Sequence, residues 1–136
     1  MSDAILALRA AIQARLVADA ALTALIGPDR IFDEAPRAMR GLYVTHGEAG
    51  ANDWSTGTDR GCEQEFNLYV WAAESASSRQ ELEAAGLVVG ALDEAELTLA
   101  GHSLVNLRWL SSRLAREARK GVPFVMIRFR AVTETL

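Results

Sequence analysis

The last dozen residues, Phe124-Val125-Met126-Ile127-Arg128-Phe129-Arg130-Ala131-Val132-Thr133-Glu134, constrain the fold more than any other stretch. Read with period two, Val125, Ile127, Phe129 and Ala131 fall on one face, and Met126, Arg128, Arg130 and Val132 on the other. A strand this long with one fully apolar side must be paired inside a sheet, because a flat free edge invites aggregation. Its second face sets two arginines among apolar residues. That suits a surface partly covered by another body, either a helix of the same chain or a neighbouring subunit.

Helical and strand signals alternate ahead of it. Ser2 or Asp3 can cap a first helix, with Ile5, Leu8, Ile12 and Leu16 on its apolar face and Asp3, Arg9, Gln13 and Arg15 on much of its wet face. Asp19 reads as a second cap, opening a short helical turn through Leu22 and Leu25 that Gly27-Pro28 stops. Ile31-Phe32 is a strand stub, and residues 33–40, with Pro36, are a connection. Strands are expected over residues 42–46 and 66–71, separated by a polar loop from Gly47 to Gly61 that holds Trp54. Ser77-Ser78 offers two overlapping capping boxes, with Gln80 and Glu81 respectively. The helix behind them aligns Leu82, Ala85, Gly86, Val89 and Leu92, its small residues suiting close packing on a sheet.

Residues 97–110 read as strand, with a bend at Gly101 and Val105, Leu107 and Trp109 on one face. Residues 113–120 suit either a short helix capped by Ser111 or Ser112, or the tip of a long hairpin. The expectation is one α+β domain over residues 1–136, its sheet mainly antiparallel, with two main helices packed on one face.

Composition narrows the function classes. A chain of 136 residues, half of them hydrophobic and a quarter charged, supports one globular core. A net charge of −4 argues against bulk nucleic-acid binding, which needs a net-positive face. The single cysteine, Cys62, excludes an internal disulfide framework and a multi-cysteine zinc site, and suits a small half-buried side chain at a strand start. No apolar run is long enough for a transmembrane helix, so no membrane partner is expected. Met1-Ser2-Asp3 lacks the basic segment of a secretory signal, so synthesis in the cytoplasm is expected.

Reactive constellations are sparse. His46 and His102 lie far apart, each at a strand end or turn, where packing or exposure is the ordinary role. No His, Cys or Asp grouping has metal-ligand spacing, no serine is framed as Gly-x-Ser-x-Gly, and no phosphate loop is present. Glu63 and Glu65 share a strand face and resemble a solvated acidic stripe. No catalytic residue, cofactor or metal site is therefore expected, and an enzyme is disfavoured.

What remains are candidate contact residues. Arg113, Arg116 and Arg119, at spacings of three and followed by Lys120, share one side if that segment is helical. They suit a phosphate or acidic-protein contact, an ordinary solvated loop, or a complement to the acidic surface of an identical subunit. Trp54 in its polar loop either folds back on the protein or anchors a partner. Arg128 and Arg130, on the second face of the last strand, complete the candidate interface set.

Four pieces in order carry a family resemblance: Leu16-Val17-Ala18-Asp19-Ala20-Ala21-Leu22-Thr23-Ala24-Leu25-Ile26-Gly27 with Arg30-Ile31-Phe32 and Ala35-Pro36; Leu42-Tyr43-Val44-Thr45; Phe66-Asn67-Leu68-Tyr69-Val70-Trp71-Ala72 leading into the serine-capped helix; and Ile127 to Glu134. Together they resemble the tail-completion, or tail-terminator, proteins of long-tailed phages and gene transfer agents, over nearly the whole chain. Arg40-Gly41-Leu42 stands where such proteins commonly carry a proline. The resemblance implies a structural subunit of a virion or phage-like particle, placed at the head–tail junction. It implies a homo-oligomer, a hexameric ring that ends tube polymerisation, touches the tail tube protein and a head-side connector, and lets DNA pass without specific binding. It carries over no catalytic residue. Two alternatives are a stopper or adaptor of the same connector and, from another class, a small-molecule-binding α+β domain.

Overall fold

The terminal strand seeds the architecture. In a computed structural model, which describes residues 2–73 and 78–136, Val125, Ile127, Phe129 and Ala131 are completely buried, as the period-two pattern requires. They belong to β6 (Pro123–Thr135), an interior strand of a six-stranded sheet. The strand order is β1-β2-β3-β6-β5-β4, with β1 (Ile31–Phe32), β2 (Gly41–Asp53), β3 (Gly61–Ala73), β4 (Thr98–Leu99) and β5 (His102–Arg116). Four pairings are antiparallel; β1 runs parallel to β2, so the sheet is mixed.

Three helices, rather than two main ones, cover one face: α1 (Ser2–Val17), α2 (Ala20–Ile26) and α3 (Ser78–Leu92). Asp19 caps α2 as the sequence suggests, accepting the Leu22 N–H at 2.9 Å, and Gly27 at φ 95° ends it. In α1 the buried residues are Ala4, Leu8, Ile12 and Leu16, a strict four-residue stripe, and Ile5 is only half-buried. The expected wet face is largely a docking face. Arg9 donates to the Gly47 carbonyl (3.0 Å), Gln13 to that of Ile31 (3.0 Å) and Arg15 to that of Ala91 (3.1 Å). Those bonds tie α1 to β2, β1 and α3 at once.

In α3 the face is rotated by one residue from expectation. Ala84, Ala85, Val88, Ala91 and Leu92 are buried, together with Glu81, while Leu82 and Gly86 face solvent. The stretch Ala84–Ala91 is apolar or glycine throughout, so its period could not be read; the small alanines decide, by letting the axis approach the sheet. Of the two capping boxes, Ser77 lies outside the described residues, and the Ser78–Glu81 box is not closed, because neither Glu81 oxygen has a hydrogen-bond partner.

The strands are longer than their sequence signals. β2 passes through a bulge after His46 and continues to Asp53, so the expected loop shrinks to residues 54–60. Ala49-Gly50-Ala51 has weak strand propensity, and pairing with β3 overrides it. Gly101, at φ 72°, closes a hairpin rather than bending one strand. Val105 falls in a bulge and is half exposed, so Leu104 and Leu107, not Val105, share the covered face. The segment from Arg113 onward is not helical: β5 runs to Arg116 and returns through residues 117–122 into β6.

Candidate functional site

Both histidines and the cysteine are buried, and each has a polar partner. His46 is buried on β2 with its Nε2 2.9 Å from the Gln13 amide oxygen. Burial, helped by the nearby Arg9 cation, lowers its pKa, opposed by Asp33. Cys62 is buried, more so than the half-burial expected, and its Sγ lies 3.2 Å from the Thr133 hydroxyl. His102, buried at the start of β5, faces the exposed Asp3 carboxylate at 3.4 Å. Asp3, Cys62 and His102 do line one open cleft of about 600 Å³, beneath the residue 54–60 turn. Within it the cysteine's hydrogen bond goes to a threonine, and the histidine's partner is Asp3. Among the described residues no group of three or more His, Cys, Asp or Glu side chains could hold a metal ion, and no helix is long and apolar enough to cross a membrane.

The candidate contact residues fall into two groups. On the sheet face opposite the helices, Trp54 lies over the Arg130 guanidinium, 5.3 Å from ring centroid to carbon, while remaining half exposed itself. Arg130 also donates to Glu63 at 2.6 Å, and Arg128 approaches Glu65 at 3.6 Å. The acidic pair is thus not a free stripe but half of a cross-strand ladder. Farther along the same face come Tyr43, Tyr69, Trp71 and Phe124, with Tyr43 stacked on Trp71 and the Trp71 and Phe124 centroids 5.0 Å apart. Tyr43 and Trp71 line a second cleft of about 500 Å³, together with Asp33, Glu34, Glu117 and Lys120. Burial, with Glu117 nearby, raises the pKa of Tyr43.

Arg113, Arg116, Arg119 and Lys120 stand apart from Trp54, at the far end of the β5–β6 hairpin. A spacing of three on a strand sends Arg113 and Arg116 to opposite faces, so the expected shared side does not exist. Arg113 sits opposite Met126 on the helix-free face, and Arg116 donates to the Gly121 carbonyl at 3.1 Å. Burial raises the pKa of the Glu81 carboxyl, and the charge of Arg116 opposes that shift.

Sequence reasoning missed the sheet's edges, since it follows side chains and an edge is a matter of partners. β1 covers β2 only at Val44 and Thr45. β4 covers β5 only at His102 and Ser103, and the turn after α3 occupies Leu107 and Trp109: the Glu94 N–H donates to the Leu107 carbonyl, and the Trp109 N–H to Asp93. Among the described residues no strand pairs with the outer side of Glu48–Asp53 on β2 or of Leu110–Arg116 on β5. These two open half-edges lie at diagonal corners of the sheet. Beside the second, Trp109, Leu110 and Leu114 each expose more than two-fifths of their surface. Unpaired edge backbone beside exposed apolar side chains is the kind of surface on which another strand can pair.

A model of the family described as tail completion protein gp17 matches residues 10–134. Among solved structures, a chain in the virion of a native gene transfer agent particle is similar at 32% identity and a TM-score of 0.85, over 94% of this chain and 95% of that one. No curated protein sequence matches.

Proposed function

The chain belongs to the tail completion protein gp17 family, and from that membership we propose that it is a structural subunit of a phage-like particle, closing the head-proximal end of the tail tube as a ring of identical copies. The observation that carries the reading is the family match from residue 10 to residue 134, which takes in all six strands and spans the whole sheet. The similar gene transfer agent chain supports placing this protein in the virion as well.

In this role the ring, of six copies, ends tube polymerisation on one side and meets the head-side connector on the other. Closure by rotation requires two different faces on each copy, one complementary to the other. The sheet supplies two unlike open edges, and the buried histidines and cysteine leave the exposed work to contact residues. Function resides in surfaces, with no bond made or broken. Trp54 and the Glu117–Lys120 tip of the hairpin, at opposite ends of the sheet, are the proposed contacts to the rings above and below.

Removing the protein from a particle-producing system tests this. Overlong tails without heads support the terminator role, tailless heads that leak DNA place the protein as a stopper, and normal particles refute both.

A further inference from the structure

We propose that the two open half-edges are one interface: Leu110–Arg116 of β5 in one copy pairs with Glu48–Asp53 of β2 in the next, so that the sheets join around the ring. The inference rests on the ring reading and adds to it which backbone closes the ring.

Four independent features meet in this pairing. The first is strand direction. β2 and β5 run antiparallel to each other within one sheet, so copies placed side by side in the same orientation bring β5 against the next β2 antiparallel. The second is hydrogen-bond phase. The Val44 N–H points outward to the Arg30 carbonyl, and alternation across the antiparallel ladders then turns the backbone of Ala49, Ala51 and Asp53 outward on β2, and of Ser112, Leu114 and Arg116 outward on β5. The outward Trp109 N–H, bonded to Asp93, agrees with the same phase. Setting Gly50 opposite Arg113 makes Ala51 with Ser112, and Ala49 with Leu114, hydrogen-bonded pairs. It also matches the faces, since Ala49, Ala51, Ser112 and Leu114 all lie on the helix side of their strands.

The third feature is closure. Arg113 is level with Met126 and Tyr69, and Gly50 with Glu65, so across the four long strands β2, β3, β6 and β5 each copy advances four residues along β3. Four residues at about 3.3 Å against four strands at about 4.8 Å tilts the strands by about 35°, at the lower end of the range of roughly 35–45° in which sheets close on themselves. A stagger of this size gives the tilt that a closed ring of strands needs. The fourth is chemistry. The β5 half carries Arg113 and Arg116, whereas the β2 half carries Glu48 and Asp53 with small Ala-Gly-Ala between them. Gly50 has open space where a Cβ would be, and Glu48 lines a shallow groove with Gly50, Glu65 and Asn67 on the face Arg113 shares. The next copy's Arg113 enters there.

The test is cysteine cross-linking of the full chain in a Cys62→Ser background. Ala51→Cys with Ser112→Cys, oxidised mildly after native mass is measured, should give a covalent ladder ending at the ring's mass, because paired Cα atoms about 5.5 Å apart suit a disulfide. Ala51→Cys with Arg113→Cys, on opposite faces, should stay uncross-linked. Leu114→Pro removes only an outward N–H and should abolish the ring while circular dichroism stays native. A ring of native mass with no ladder from Ala51/Ser112 or Ala49/Leu114 pairs overturns the edge pairing and leaves the ring standing. A strictly monomeric parent at particle-like concentrations overturns both.

Discussion

Arg130 stands directly opposite Glu65 in the register of β3 and β6, yet it donates to the diagonal neighbour Glu63, at 2.6 Å. Arg128, opposite Asn67, takes Glu65 instead, so the ladder is slipped by one rung. The slip brings the Arg130 guanidinium beneath Trp54 and screens the Arg130–Glu63 pair from water; both side chains are less than a third exposed. The turn that carries the tryptophan is thereby pinned to the sheet.

Unequal costs follow for the two arginines. Arg130→Ala strands a largely covered Glu63 and should destabilise the monomer by about 1–2 kcal/mol. Arg128→Ala, whose pair is about half exposed, should cost less than about 0.5 kcal/mol. Trp54→Ala should cost about 0.5–1 kcal/mol from the cation–π contact, and most of that cost should vanish in the Arg130→Ala background. Urea denaturation of the two single variants and the double variant checks the cycle; additive Trp54 and Arg130 effects would refute the coupling.

Gly47 is required by a ring and not by a backbone angle. A Cβ there would stand 2.3 Å from Cε2 of Tyr69, and 3.1 Å from the Asn67 carbonyl oxygen. Gly47→Ala should therefore cost about 1–3 kcal/mol through overpacking, seen as a fall in Tm of roughly 3–10 °C for a domain of this size. Shortening the obstacle with Tyr69→Leu should recover part of the loss. An unchanged Tm for Gly47→Ala would show that the aromatic cluster yields freely.

Side-chain alternation made the centre of this fold legible. The β6 and β3 patterns, the Asp19 cap and the Gly27 stop all stand as the residues imply, because each is local and its cause is carried by its own side chains. The α3 face was hidden by an unbroken apolar run, and the length of β2 by small residues whose strand state comes from pairing with β3. The arginine segment was ambiguous because a spacing of three means one side on a helix and two sides on a strand. The open edges were invisible, since a missing neighbour leaves no mark in composition. The Arg128–Glu65 and Arg130–Glu63 ladder could have been anticipated from two acid-x-acid and base-x-base strands placed together, but only with the register known.

Glu81 predicts how stability depends on pH. Desolvation raises its folded pKa above the 4.5 of a free glutamate, so the folded state holds this proton more tightly than the unfolded chain. Its contribution is fully present below about pH 4.5 and is lost as pH rises through the elevated folded value. Glu81→Gln removes the charge but keeps the volume, so at pH 7–8 it should stabilise by about 1 kcal/mol, or roughly 3–5 °C in Tm, with little effect at pH 4. Arg116→Ala, which withdraws the opposing cation, should lower Tm most at neutral pH. Thermal scans across pH 4–8 decide; a Glu81→Gln gain equal at every pH would refute the titration.

Charge reversal gives the last prediction, aimed at the proposed seam between copies. Arg113 lies on the exposed face of β5, where the residue opposite it in the register is Met126 and not an acid. If the next copy's Glu48 receives it, Arg113→Glu sets like charges against each other and should slow ring assembly at low salt by at least tenfold, with the effect fading as salt screens it. Glu48→Arg alone should do the same from the other side of the seam. Combined in one chain, Arg113→Glu and Glu48→Arg restore an opposite pair at every interface of a closed ring, so assembly should return toward the parent rate. Light scattering across a salt series follows this directly. Rescue cannot come from a general effect on folding or net charge, because the double change leaves net charge as it was; failure of the double variant to recover would separate the two residues in space and end the pairing of these edges.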